Sequence, residues 1–111
     1  MECEFGDVIL VPFPFTDQRS SKRRSAVVVS TGRYNIERPD LIIMAVTSQP
    51  MAGTFETKIS NWKEAGLISP STIKPVLTTI EKSLVIKRLG TLSRNDQVAL
   101  PEILRAILGP A

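Results

Sequence analysis

Apolar residues run unbroken over 8–11, VILV, and again over 26–29, AVVV, and 41–46, LIIMAV. Each run is short, rich in β-branched side chains and free of helical period. Each therefore reads as a buried strand, with bounds at 8–11, 25–30 and 41–47. Pro12 and Pro14 stop the first strand or confine its end to a sheet edge, because proline cannot donate to a ladder. Residues 55–59, FETKI, alternate apolar and polar and predict a half-exposed fourth strand. A fifth is expected over 72–79, with Pro75 marking an edge or a bulge. A sixth is expected over 85–92, with a weak point at Gly90.

The remaining stretches read as connections. Residues 16–22 are polar and predict a loop. Residues 31–40 form a long connection, and residues 60–67 form one turn that Gly66 ends in left-handed geometry. Residues 81–84 form a further short turn. After Ser93-x-x-Asp96, which resembles a capping box, Leu100, Ile103, Leu104, Ile107 and Leu108 recur at helical spacing. One helix is expected over about 94–108, kinked or restarted near Pro101. The chain is thus mainly β with a C-terminal helix. Its five or six short strands suggest a small, strongly bent barrel with the helix over one end or face.

A length of 111 residues fits one domain. A hydrophobic fraction of 42% with 23% charged residues argues against disorder. No apolar run approaches the ~20 residues that span a bilayer. Glu2 and Glu4 replace the basic start of a signal peptide. Cys3 is the single cysteine, which excludes an intrachain disulfide and fits a reducing cytoplasm. There is no histidine. That removes the commonest acid–base group near neutral pH and leaves no basis for a zinc site. No cofactor is expected.

The net charge of +3 is unevenly placed. Lys22, Arg23 and Arg24 are consecutive and Arg19 lies just before them, so the loop between the first two strands is expected to be basic. Such a cluster is the footprint of a phosphate backbone, or else a solvated loop face. Phe13 and Phe15 flank it as candidate platforms for unpaired bases, or as core or dimer packing. Trp62 reads as a structural anchor. Lys87 and Arg88 could extend such a phosphate-binding surface, but are expected to face solvent.

These residues together resemble the MazF/PemK-like toxins of type II toxin–antitoxin systems. The likeness rests on Gly6-Asp7-Val8 with its apolar run, on Arg24 leading into residues 25–30, and on Ala45-Val46-Thr47-Ser48-Gln49. Trp62, Gly66-Leu67 and Ser71 add to it, as does Leu89-Gly90-x-Leu92-Ser93. The resemblance implies a small SH3-like barrel, a homodimer and metal-independent cleavage of single-stranded RNA. It also implies a cognate antitoxin that blocks the site, in a complex that binds operator DNA. Its working residues, an arginine before strand two and a threonine closing strand three, fall on Arg24 and Thr47. The chain departs from the family at Ser25, where proline is usual. It departs again near Arg19, about where a glutamate assigned to proton transfer would stand. Asp17 is the nearest carboxylate and the candidate proton carrier.

RNA carries its own nucleophile, the 2′-hydroxyl, so alignment and charge stabilisation are what a protein must add. Arg24 is expected to hold the scissile phosphate with its planar fork. Thr47 is expected to meet it across a shallow groove by hydrogen bond, unless its hydroxyl only satisfies the backbone. Arg19, Lys22 and Arg23 would take flanking phosphates, and Ser48 and Gln49 would read base edges. Two other readings stay open: a nucleic-acid-binding barrel without catalysis, and a toxin of the same fold that blocks a protein such as a topoisomerase.

Overall fold

The three apolar runs become three adjacent inner strands of one sheet. The computed structural model describes residues 2–13, 22–50 and 53–110. In chain order these form β1 (Asp7–Phe13), β2 (Lys22–Val28), α1 (Gly32–Glu37), β3 (Asp40–Thr47), β4 (Thr57–Ile59) and β5 (Ser71–Glu81). A single 3-10 turn (Lys82–Leu84), β6 (Lys87–Thr91) and α2 (Arg94–Ile107) follow. Every described strand pair is antiparallel, in the order β4-β5-β3-β2-β1-β6. The six strands curl into a half-barrel with α2 against it.

The middles of the inner strands are apolar because both faces of the sheet are covered there. Ile9, Val11, Ala26, Val28, Leu41 and Ile43 pack on one side with Cys3 and Ile80. Val8, Val27, Met44 and Val46 pack on the other with Ile59, Ala65 and Leu100. The helix stripe reaches this second layer through Ile103, Leu104 and Ile107. Burying each aliphatic side chain stabilises the fold by about 1.5–3 kcal/mol.

The prolines sit where the ladders tolerate them. The Leu10 carbonyl accepts from the Ile86 N–H at 2.9 Å, so the Leu10 backbone faces β6. Pro12, two residues on, faces the same side past the last β1–β6 pair, Leu10 with Lys87. β1 therefore continues through Pro12 to Phe13 instead of stopping. Pro75 falls inside a register shift where residues 74–76 of β5 face only Ala45 between the pairs Met44–Leu77 and Val46–Ile73. This is the bulge that the sequence suggests.

Two expectations need correction. Residues 31–40 contain α1, whose N-cap Thr31 accepts from the Tyr34 N–H at 3.2 Å. Lys22, Arg23 and Arg24 belong to β2, paired with Phe13, Pro12 and Val11, and not to a loop. β1 runs further than its apolar core and carries β2 with it. The expected C-terminal helix is one element from Arg94 to Ile107, with Pro101 inside it and no restart there.

A turn over residues 60–66 links the two edge strands, leaving β4 and meeting β6. Gly66 adopts a φ of +83°, and a Cβ there would stand 2.0 Å from the Leu89 carbonyl oxygen. Gly90 is equally tight, since its Cβ would meet the Ala65 oxygen at 2.5 Å. The weak point of β6 is therefore a backbone-to-backbone seat. The buried Asp96 holds the start of this turn, accepting from the Ser60 and Asn61 N–H groups at 3.0 and 2.9 Å. Ser93 caps α2 as expected, accepting from the Asp96 N–H at 3.3 Å. Its partner carboxylate reaches across to the turn. Among the described residues no helix is long and apolar enough to cross a membrane.

Candidate functional site

The β2–β3 ladder sets the site. Its pairs run Val28–Ile43, Val27–Met44 and Ala26–Ala45. Past the last of these pairs, Arg24 stands two residues before Ala26 and Thr47 two residues after Ala45. Side chains alternate along a strand, so Arg24 shares the face of Ala26, and Thr47 that of Ala45. Both lie where the core has ended: Ala26 is buried, while Arg24 is exposed and Thr47 half-buried.

Around this end of the sheet lies a groove of about 480 Å³. Arg23, Arg24 and Ser25 of β2 line it, with Val46 and Thr47 of β3 and Ser48 and Gln49 just after. Leu10 joins from β1, and Lys87 and Leu89 from β6. The remaining wall is Gly66–Ser69 together with Ser71. Three cations thus line the groove, and no Asp or Glu does so among the described residues. Such a surface favours an anion with spaced charges.

The Thr47 hydroxyl oxygen accepts from the Gln49 N–H at 3.2 Å. That bond fixes the turn out of β3 and uses the oxygen as acceptor only. Among the described residues, no group of three His, Cys, Asp or Glu side chains stands where it would hold a metal.

The groove brings together Arg24, Thr47, Arg23, Ser48 and Gln49. Lys22 is exposed at the start of β2 and does not line it. Phe13 is a correction: it is only 2% exposed and packs in the core with Ile9 and Val11, so neither ring face is open to a base. Phe15, Asp17 and Arg19 lie outside the described residues. Trp62 is half-buried against the second apolar layer, with the Lys63 ammonium 5.5 Å from its ring, as an anchor should be.

Sequence reasoning favoured solvent for Lys87, which lines the groove, and missed the segment of Leu67, Ile68 and Ser69. Strand alternation explains the first. Lys87 and its neighbour Arg88 point to different sides: Lys87 lines the groove, while Arg88 pairs with Asp7 at 3.5 Å and donates to the Glu2 carbonyl. The second depends on the Gly66 seat, which no local pattern reveals.

Comparison with known proteins places this geometry. The family model described as "PemK-like, MazF-like toxin of type II toxin-antitoxin system" matches residues 4–108. Among solved structures, a mycobacterial endoribonuclease in complex with its cognate antitoxin is similar with a TM-score of 0.80. Its identity is 13%, over 98% of this chain and 97% of that one. MazE–MazF from Deinococcus radiodurans is similar with a TM-score of 0.77 and 17% identity, over 100% and 99% of the two chains. The Mycobacterium tuberculosis toxin MazF-mt6 gives 0.73 and 15%, over 88% and 91%. At these identities the likeness is one of fold. No curated protein sequence matches the chain.

Proposed function

The chain belongs to the PemK-like, MazF-like toxins of type II toxin–antitoxin systems, and on that premise we propose that it cuts single-stranded RNA without a metal ion. The observation that carries the reading is the groove itself. Arg24 and Thr47 line it with Arg23 and Lys87, and no carboxylate lines it among the described residues.

In this reading Arg24 holds two non-bridging oxygens of the scissile phosphate and stabilises the charge that builds on them. Thr47 donates its hydroxyl proton to the same phosphate or to the attacking oxygen. The 2′-oxygen loses its proton and bonds to phosphorus as the bond from phosphorus to the 5′-oxygen breaks. The 5′-oxygen takes up a proton. The products are a 2′,3′-cyclic phosphate and a 5′-hydroxyl. Arg23 and Lys87 hold neighbouring phosphates, and Ser48 and Gln49 read base edges. Lys22 and Arg19 extend the cationic surface, and Asp17 is the proton carrier. The active form is a homodimer, and its antitoxin covers the groove. Support for that partner comes from the neighbours of like fold that were solved with theirs.

Incubation with single-stranded RNA in excess chelator tests the reading. Wild-type protein should cut and leave cyclic-phosphate ends, while Arg24→Ala should leave the RNA intact. Binding without any cutting, or cutting that Arg24→Ala leaves unchanged, would overturn it.

A further inference from the structure

Ile68 is 97% exposed and yet lines the groove. Single exposed apolar residues are ordinary on protein surfaces. Its setting distinguishes this one. The backbone that presents it is braced on both sides. Before it, Gly66 sits on the Leu89 carbonyl and the Leu67 N–H donates to the Trp62 carbonyl at 3.0 Å. After it, the Ser71 hydroxyl donates to the Ser69 carbonyl at 2.9 Å, and Pro70 lies between. A side chain held out on a stiff segment orders little on binding, so its contacts count almost in full.

The rest of the groove says what would cover it. Arg23, Arg24 and Lys87 call for an anion. An unpaired nucleic acid strand also brings flat apolar faces that need a surface to pack on. Aromatic side chains usually supply it, but no aromatic residue lines this groove among those described, and Phe13 is in the core. We propose that Ile68 is the surface on which one nucleobase of the bound strand packs, flanking the phosphate held by Arg24. The inference rests on the RNA-cutting reading above and names a base-binding residue for it. A base drawn onto Ile68 leaves the neighbouring stack, which frees the adjoining ribose to turn its 2′-oxygen toward the phosphorus.

The test uses a short RNA spanning a mapped cleavage site, and the same RNA with an abasic ribonucleotide at one flanking position at a time. Ile68→Ser should lower kcat/KM on the intact RNA about tenfold, from the usual worth of base packing. Ile68→Leu should keep the wild-type value. On one abasic substrate wild type and Ile68→Ser should become equal. Equal rates on the intact RNA would overturn the proposal, as would a loss that persists on every abasic substrate. So would a change of oligomeric state in Ile68→Ser, which would assign the residue to an interface between copies. If the wild type cuts no RNA, the RNA-cutting reading itself falls and takes this one with it. If the wild type cuts and Arg24→Ala does not, that reading stands whatever Ile68 does.

Discussion

The two ends of the sheet differ in what their charged residues face. At the end where β1 begins and β3 begins, cations have close partners. Arg88 meets Asp7 at 3.5 Å, Arg38 meets Asp40 at 3.2 Å, and the Lys82 ammonium donates to the Asn35 carbonyl at 2.6 Å. The polar groups there are also satisfied internally. Asn35 donates to the Cys3 and Ser30 carbonyls at 2.9 and 3.3 Å, and Ser30 accepts from the Ile42 N–H at 3.1 Å. At the other end Arg23, Arg24 and Lys87 line one groove that no described carboxylate enters. Polar residues at the first end serve the fold; the second end presents positive charge to the groove.

Substitutions should separate the ends. The largest effect is expected at Arg24. Its replacement by alanine should cut the cleavage rate by about 10²–10³, as loss of a charge-stabilising donor does. The urea midpoint should hardly move, because an exposed strand end adds little to stability. Thr47→Val should follow, with a loss of about ten- to a hundredfold from one hydrogen bond to a charged group, read as kcat on the same RNA. At the opposite end Asn35→Ala should do the reverse. Leaving buried partners unsatisfied should cost about 1–3 kcal/mol in urea unfolding, with the rate per folded molecule unchanged.

Smaller effects sharpen the contrast. Lys87→Gln should flatten the salt dependence of RNA binding by about 0.7 in log–log slope, one phosphate contact on a single strand. Arg88→Gln, one residue away, should leave that slope alone and lower the urea midpoint. The smallest effect is expected at Cys3. Burial, with Asp7 adding to it, pushes its thiol above the ordinary value. The folded state thus favours the neutral thiol. Its contribution is complete below the unfolded thiol's pKa of about 8.5 and is lost as pH rises through the higher folded value. Urea midpoints for wild type and Cys3→Ala should therefore converge above pH 9 and differ most near pH 7.

Much of this was legible along the chain. Runs such as 41–46 announce strands because burial on both faces demands unbroken apolar sequence, and the stripe from Leu100 to Ile107 announces α2. Arg24 and Thr47 were readable as candidates through the family resemblance, from an arginine just before one of those runs and a threonine just after another. α1 was not readable. Gly32 and Asn35 are poor helix formers, Ile36 is 68% exposed, and the helix has no apolar stripe to betray it. The fate of Phe13 was hidden too. Its alternation with prolines fits a platform or a core residue, and its place on the face of Ile9 and Val11 decides for the core. The groove wall at Ile68 depends on Gly66 meeting Leu89, a contact between residues distant in sequence.

The comparison of the two ends is tested most directly by amide shift mapping with a short RNA in which every 2′-oxygen is methylated. Such a strand binds and cannot be cut. Shifts should cluster at Arg23, Arg24, Thr47, Ser48, Gln49, Ile68 and Lys87, and Asn35, Asp40 and Glu81 should stay still. Shifts centred on the second group, with the groove silent, would contradict the account.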